Sequence, residues 1–173
     1  MKNITLRIFY IFAFIIFACG SNNNTEKNDR NQFSKAPDFV LQSLDGNEIN
    51  ANMLKGNVLI VDFWATWCQP CIKEIPEYNL LYKKHNNDKF KMVAITMASG
   101  TADKIKPFIS KLKIEYPVYI GTKQVNTYFG GIQAFPTTFI IDQNWNIQKK
   151  YVGSYPGKIK EIDEIVSELL EKN

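Results

Sequence analysis

The feature that most constrains the fold is the segment Val58 to Pro76, which reads VLIVDFWATWCQPCIKEIP. Its first seven residues form a nearly unbroken apolar run, which is typical of a strand buried on both faces of a sheet. Cys68 and Cys71 follow shortly after, with Pro70 between them, and proline is well tolerated in the first turn of a helix. The segment therefore predicts a buried strand, a short loop and a helix that begins at a cysteine pair.

The remaining pattern predicts an α/β domain with a mixed central sheet flanked by helices. An N-terminal β-hairpin extension is expected around the turn Asp45-Gly46. The other predicted strands are Phe90–Met97, Tyr116–Ile120, Thr137–Asp142 and Ile147–Val152. The predicted helices are Ile72–His85, Thr101–Leu112, Lys123–Phe129 and Pro156–Leu170. Strands that alternate with helices and then end in a hairpin and a helix indicate a mixed sheet.

The position of the two cysteines gives them a chemistry. Free amides and the dipole at a helix N-terminus stabilise a thiolate, which is the attacking form in disulfide exchange. Cys71 lies one turn beyond Cys68 on the same face, so it can resolve a mixed disulfide. The same motif is half of a zinc site, but the chain has no second pair and its only histidine is His85. We therefore predict a redox-active disulfide and no metal, nucleotide or flavin cofactor.

The N-terminal segment has the pattern of an export signal. Lys2 and Arg7 precede the apolar run Ile8–Ala18, whose eleven residues are too few for the roughly twenty that span a bilayer. Cys19 follows at once, and Ile16 to Cys19 resembles a bacterial lipobox, in which the cysteine is lipidated after cleavage. Multiple acyl chains on one residue give stable anchoring. An ordinary cleaved signal with an incidental cysteine remains the alternative.

These features predict three parts: a lipoprotein signal peptide at 1–18, a lipidated cysteine and flexible tether at 19–35, and the folded domain at 36–173. One of the three cysteines would carry lipid, which leaves one reactive pair and no disulfide framework. We expect an exported protein, lipid-anchored to a bacterial membrane. Loss of the signal would lower the net charge from +4 to +2, too little to indicate nucleic-acid binding.

The site segment resembles the active site of thioredoxins, and further motifs resemble the TlpA/ResA branch of extracytoplasmic thioredoxin-like proteins. Those motifs are Ala36-Pro37-Asp38-Phe39, Leu44-Asp45-Gly46, Glu74-Ile75-Pro76 and Phe135-Pro136-Thr137-Thr138-Phe139. The resemblance covers residues 36–172 and implies a thioredoxin fold. It also implies an exposed nucleophile at Cys68 and a buried resolving thiol at Cys71.

The resemblance implies roles for further residues. Asp62 would accept or relay the Cys71 proton, although a solvated carboxylate at a strand edge is the alternative. Glu74 would tune the pKa of the thiols or receive substrate, with an exposed helix acid as the alternative. Pro136 would be a cis-proline that faces the disulfide, and the alternative is a trans proline in a loop. The substrate groove would also include Trp67, Gln69, Pro70, Phe135 and Thr137. We expect Trp64 in the core, and His85 solvated and without a role.

The expected function is a thiol–disulfide oxidoreductase, of the protein-disulfide reductase type, that acts on exported proteins. Members of this branch are usually kept reduced by a membrane electron donor of the DsbD/CcdA type and often serve apocytochrome c. A peroxiredoxin-like peroxidase is one alternative, but the only arginines are Arg7 and Arg30, outside the folded core. A Sco-type metallochaperone would need a longer cysteine spacing and a later histidine. A redox-inert binding module is the third alternative.

Overall fold

The computed structural model of the protein describes residues 34–172. The predicted signal peptide, the lipidation at Cys19 and most of the predicted tether lie outside the described residues. Contacts with the domain begin at Ser34, because Lys35 forms a β-bridge with Asn146 and the Ile147 N–H donates to the Ser34 carbonyl. None of the helices in this part of the chain has the length and apolar character needed to cross a membrane.

Seven strands form one mixed sheet in the described residues, as predicted. They are β1 (Val40–Ser43), β2 (Glu48–Asn50), β3 (Val58–Trp64), β4 (Phe90–Thr96), β5 (Val118–Ile120), β6 (Thr137–Ile141) and β7 (Ile147–Val152). Their order across the sheet is β2-β1-β5-β4-β3-β6-β7. β3 pairs in parallel with β4, and β4 with β5, whereas the other neighbours are antiparallel. β3 is therefore central and buried on both faces, as its apolar run predicts.

Four α-helices accompany the sheet: α1 (Gln69–His85), α2 (Ala102–Leu112), α3 (Lys123–Tyr128) and α4 (Lys158–Glu171). All four were predicted, with ends that differ by a few residues. The sequence did not predict the short 3-10 helix at Ala51–Met53. Its N-cap is Asn50, whose side-chain oxygen accepts the Asn52 N–H at 2.9 Å, and this local capping leaves no periodic apolar signal.

The sheet separates two apolar cores, and alternate residues of β3 contribute to each. Val58 and Ile60 lie in the core that α1 and α4 cover. Leu59, Val61 and Phe63 lie in the opposite core, with α3 and the 3-10 helix. The same alternation places Asp62 on the face of the sheet that α1 covers, beneath the cysteine helix.

The antiparallel pairing of β3 with β6 brings the two halves of the predicted site together. Phe63, near the end of β3, lies opposite Thr137, the first residue of β6. The loop that leads from β3 to Cys68 therefore lies beside the segment that contains Phe135 and Pro136. These two segments are far apart in the sequence, and only the sheet makes them neighbours.

Candidate active site

Cys68 and Cys71 are joined by a disulfide, with 5.3 Å between their Cα atoms. Cys68 is the N-cap of α1, and its sulfur accepts the Cys71 N–H at 3.3 Å. Pro70 lies in the first turn, where its missing N–H leaves no intrahelical bond unmade. A thiolate on Cys68 would therefore face a backbone donor and the positive end of the helix dipole, as the sequence predicts.

The exposure expected of Cys68 is not found in this disulfide form. Cys68 is 5% exposed and Cys71 is 4% exposed, so the two residues are almost equally covered. The bond to Cys71 and the contact with the Cys71 N–H turn the Cys68 sulfur into the first turn of α1. Exposure therefore does not distinguish the attacking sulfur from the resolving one. The assignment of Cys68 as the attacking residue is based on its position at the start of the helix.

Trp67 and Phe135 form an aromatic contact at the mouth of the site. Their ring centroids are 5.8 Å apart in an edge-to-face arrangement, and the Trp67 indole N–H donates to the Ala98 carbonyl at 3.0 Å. Trp67 is 59% exposed, although it lies next to Cys68. The peptide bond between Phe135 and Pro136 is cis, as predicted. The two segments that β3 and β6 bring together thus touch through these rings.

The other residues predicted for the substrate groove are placed differently from one another. Gln69 and Pro70 are exposed, whereas Pro136 and Thr137 are buried. The Thr137 hydroxyl donates to the Ala134 carbonyl at 2.8 Å, so that side chain is engaged inside its own loop. The surface around the disulfide is therefore formed by Trp67, the exposed first turn of α1 and the half-buried ring of Phe135.

Asp62 is buried, 4% exposed, and takes part in a chain of hydrogen bonds. The Thr138 hydroxyl donates to Asp62 Oδ1 at 2.7 Å. Because this uses the only hydroxyl proton of Thr138, the Tyr78 hydroxyl donates to Thr138 at 3.0 Å. Desolvation raises the pKa of Asp62 from its ordinary 3.8 to about 6, although Lys158 and the Thr138 hydrogen bond oppose the rise, and Glu74 adds to it.

Glu74 is a buried acid, not an exposed one. It is 5% exposed, and its Oε2 accepts a hydrogen bond of 2.7 Å from the ammonium group of Lys158, which is fully buried. The second oxygen, Oε1, is buried without a hydrogen-bond partner among residues 34–172. Glu74 also lines an open cavity of about 370 Å³ between the start of α1 and the loop before α4. The alternative of a solvated helix acid is therefore wrong.

The prediction that His85 is solvated is also wrong. His85 is 6% exposed, and its Nε2 lies 2.5 Å from Asp163 Oδ1 on α4. Its ring packs against Phe90, with 5.6 Å between centroids. The neighbouring lysines made the segment look like a solvated helix end, but α4 crosses this end of α1 and covers the imidazole. Trp64, by contrast, is 3% exposed and lies in the core as predicted.

Sequence reasoning missed three residues of the polar network: Tyr78, Thr138 and Lys158. Tyr78 follows Cys71 and Glu74 at helical spacing, which is a signal that all three share the buried face of α1. Thr138 directly follows Thr137 in a strand that is otherwise apolar. Lys158 gave no signal, because a lysine near the start of a helix ordinarily points to solvent.

A buried strand, a disulfide at the start of the following helix and a cis-proline beside it define a thioredoxin-fold thiol–disulfide oxidoreductase. Comparison with known sequences agrees, since the AhpC/TSA family profile matches residues 34–150. The thiol-disulfide oxidoreductase ResA of one Bacillus cereus strain is 32% identical over 156 residues, which cover 85% of this chain and 88% of that protein. The thioredoxin-like protein YneN of Bacillus subtilis (strain 168) is 33% identical over 126 residues, which cover 72% of this chain and 73% of that protein.

Solved structures agree as well. A thiol:disulfide interchange protein of the thioredoxin family from Chlorobium tepidum TLS is 32% identical, with a TM-score of 0.71, and the match covers 80% of this chain and 97% of that one. StoA from Bacillus subtilis is 25% identical, with a TM-score of 0.62, and the match covers 75% of this chain and 96% of that one. The chain belongs to the AhpC/TSA family, and within it is a ResA-like thiol–disulfide oxidoreductase.

Proposed function

We propose that this oxidoreductase is an extracytoplasmic disulfide reductase, held at a membrane by lipid on Cys19, which reduces disulfides in exported proteins. The observation that supports a reducing direction of electron flow is the set of buried charges near the start of the cysteine helix. Two carboxyl groups, Asp62 and Glu74, face one ammonium group, Lys158. With both acids ionised the set is net negative, which disfavours a nearby thiolate.

The stability of the thiolate governs the redox poise of such a pair. A strongly oxidising dithiol–disulfide couple is one whose reduced form is stabilised, as in the oxidant DsbA. Neither residue between the cysteines, Gln69 or Pro70, can supply a cation for that purpose. The helix N-terminus provides enough stabilisation for attack, while the buried acids keep the disulfide favoured. A favoured disulfide makes the dithiol a reductant.

The reduction proceeds in two exchanges. The Cys68 thiolate attacks a substrate disulfide, forms a mixed disulfide, and releases one substrate sulfur as a thiolate that takes a proton from solvent. The Cys71 thiol then gives its proton to the Asp62 carboxylate, and the Cys71 thiolate attacks the Cys68 sulfur. The bond to the substrate breaks, the second substrate thiolate leaves and is protonated, and Asp62 returns its proton to solvent. Two electrons have passed to the substrate, and the Cys68–Cys71 disulfide remains.

Regeneration of the dithiol needs a two-electron donor outside the cytoplasm. We assign this to a membrane dithiol protein of the DsbD/CcdA type, which reduces the Cys68–Cys71 disulfide by the same exchange in reverse. Cysteine thiols of apocytochrome c, which must be reduced before haem attachment, belong to the proposed substrates. The resemblance to the TlpA/ResA branch supports both assignments.

Substrates are proposed to dock on the surface that surrounds the disulfide. The Trp67 and Phe135 rings offer apolar contact, and Gln69 and Pro70 form the exposed first turn of α1. The cis Pro136 lies directly before β6, and we assign backbone pairing with an extended substrate segment to Phe135, the residue ahead of it, because Thr137 already pairs with β3 and β7. This arrangement suits an extended peptide around a cysteine better than a small molecule.

Trapping experiments in the native bacterium test the roles of the two cysteines. We expect Cys71→Ser to accumulate covalent complexes with exported proteins, because Cys68 attacks but the mixed disulfide cannot be resolved. The complexes would be separated on non-reducing gels and identified by mass spectrometry. Cys68→Ser is the matched control and should accumulate none. Complexes formed by Cys68→Ser but not by Cys71→Ser would reverse the assignment.

The direction and the anchor are tested in the same cells. Rapid alkylation of the wild-type protein should find Cys68 and Cys71 mostly reduced, since a reductant is kept in the dithiol form by its donor. A mostly oxidised pair would contradict the reductase proposal and indicate an oxidant. For the anchor, Cys19→Ser should move the protein from the membrane fraction to a soluble fraction. An unchanged membrane fraction would contradict lipidation at Cys19.

A further inference from the structure

Lys158 is a buried cation in an unfavourable place. It is fully buried, and it is the first residue of α4, where the helix dipole opposes positive charge. Removing an ammonium group from water is costly unless charged and hydrogen-bonding partners replace the lost solvation. A lysine at the start of a helix normally avoids this cost by extending into solvent. The contacts that hold Lys158 inside must therefore compensate for both disadvantages.

The Lys158 ammonium group connects the cysteine helix with the proline segment. It donates to Glu74 Oε2 at 2.7 Å and to the Gly153 carbonyl at 3.3 Å. Glu74 lies one turn beyond Cys71 on α1. The Gly153 N–H in turn donates to the Pro136 carbonyl at 2.8 Å. The Lys158 side chain thus links the cysteine helix, through the Gly153 peptide, to Pro136.

The same ammonium group acts on Asp62. Its Nζ lies 5.8 Å from the centroid of the Tyr78 ring. The Tyr78 hydroxyl donates to the Thr138 hydroxyl, which donates in turn to the Asp62 carboxyl. Besides the Thr138 hydrogen bond, the titratable groups coupled to Asp62 come from three parts of the fold: Glu74 and Tyr78 on α1, Lys158 on α4, and Tyr116 just before β5.

Lys158 is the only cation in this set. Burial raises the pKa of both tyrosines well above its ordinary value, so neither phenol carries charge when Asp62 titrates. The remaining charged partners of Asp62 are Glu74, which opposes its ionisation, and Lys158, which favours it. Without Lys158, two carboxyl groups would be buried together with no positive charge between them.

We propose that Lys158 is a positioning residue for the dithiol reaction: its ammonium group holds Glu74 and the Gly153 peptide in place and supplies the positive charge that keeps Asp62 ionised, ready to take the Cys71 proton. This role rests on the function proposed above for Asp62. The links of Lys158 run to Glu74, Gly153 and Asp62, so we expect its effect on the second exchange, in which Asp62 takes the Cys71 proton.

The two exchanges can be followed separately with dithionitrobenzoate as the disulfide substrate. Attack by Cys68 releases one thionitrobenzoate, and resolution by Cys71 releases the second. Stopped-flow absorbance resolves both phases on the reduced protein, with Cys19→Ser in every variant so that Cys68 and Cys71 are the only thiols. We expect Lys158→Met to move the pH midpoint of the second phase upward by about one to two pH units. At pH 7 this phase should slow about two- to tenfold, with little change in the first phase.

Matched variants separate charge from packing. Glu74→Gln removes the opposing charge and should move the midpoint of the second phase downward, and the double variant Glu74→Gln/Lys158→Met should fall between the two single variants. Lys158→Arg keeps the charge and should restore most of the wild-type profile. Lys160→Met, on the exposed side of α4, should change neither phase. If Lys158→Met fails to fold, the test uses Glu74→Gln and the double variant, in which Asp62 is the only buried carboxyl group left without its cation.

The outcomes distinguish failure of this role from failure of the proposed mechanism. If Lys158→Met lowers only the free energy of unfolding and keeps the wild-type pH profile, Lys158 is structural and the inference is overturned. An unmoved midpoint in Glu74→Gln would overturn it as well. If Asp62→Asn leaves the second phase unchanged, the proton transfer assigned to Asp62 fails first, and the role of Lys158 falls with it.

Discussion

At the scale of single residues, Asp62 shows how a carboxyl group is kept inside a buried strand. Every neighbour of Asp62 along β3 is buried, so its charge has no direct access to water. The Thr138 hydroxyl and the Lys158 charge offset part of the desolvation, but not all of it, and the pKa of Asp62 stays raised at about 6. A group with this pKa can accept and release a proton near neutral pH, which suits an acid–base role.

The raised pKa makes a prediction about stability. Between about pH 4 and pH 6 the folded protein holds a proton on Asp62 that the unfolded chain has already lost, so stability falls as the pH rises through this window. Asp62→Asn has no such dependence. In urea unfolding of the disulfide form, we expect the variant to be more stable than wild type by up to about 3 kcal/mol above pH 6, and by little below pH 4.

Asp88→Asn, in the exposed loop before β4, is the control for this measurement and should stay within about 0.5 kcal/mol of wild type at each pH. Equal stability of Asp62→Asn and wild type at every pH would show that the Asp62 pKa is not raised. The proton-transfer role would then lose its physical basis.

Also at this scale, the sequence could identify the reacting residues but not their buried partners. The cysteines, Asp62 and Pro136 stand in local patterns whose chemistry can be stated without a structure. Glu74 and Lys158, in contrast, meet across 84 positions of the chain. No local pattern reports such a contact, and the polar character of both residues argues for solvent.

At the scale of elements, α1 and α4 are tied together at two places. Near the start of α1, Glu74 pairs with Lys158, and at its last residue His85 pairs with Asp163. Lys84 also binds Asp163, through Oδ2 at 2.6 Å. Apolar residues of both helices pack between these two ties in one core. The two ties fix how the cysteine helix lies on the sheet.

The tie at the end of α1 can be tested through Asp163. Desolvation alone would raise the pKa of Asp163, but hydrogen bonds and charges from Lys84 and His85 hold it below its ordinary 3.8. The stabilisation is therefore present above pH 3.8 and is lost as the pH falls through the lower folded-state pKa. We expect Asp163→Asn to lower the free energy of unfolding by about 1–2 kcal/mol at neutral pH, measured by thermal or urea unfolding.

Glu164→Gln is the control on the same helix, because its exposed carboxylate has only a 3.7 Å contact with Lys160. It should change stability by less than about 0.5 kcal/mol. The cost of Asp163→Asn should shrink below pH 3.8. A cost that stays constant down to the lowest pH at which the protein folds would show that packing, and not the ion pair, holds the helices at this point.

The elements themselves were largely predictable, because each buried strand is a short apolar run and α2 and α4 show helical spacing. The boundaries of β3 and β7 agree with the sequence pattern, and those of the other elements lie within a few residues. His85 is the instructive failure. His85 continues the buried face of α1 from Tyr78 and Leu81. The lysines directly before it favoured a solvated helix end, so this spacing was not used.

At the scale of the whole molecule, the order of the strands assembles the site. The sheet places β6 antiparallel to β3, so the end of β3 and the start of β6 meet at one edge of the core. The cysteine pair follows the end of β3, and the cis-proline precedes β6. Local pattern predicts each strand but not which strands are neighbours, and here the resemblance to thioredoxins supplied the arrangement.

The proposed function requires that Cys68 and Cys71 form a reversible, reducing couple. The most direct test equilibrates the protein carrying Cys19→Ser in thiol–disulfide buffers and follows the fluorescence of Trp67, which lies next to Cys68. We predict a single two-electron transition with a midpoint near the roughly −270 mV of thioredoxin. A midpoint near the roughly −120 mV of DsbA would contradict the reducing direction, and the absence of any reversible transition would contradict the redox function itself.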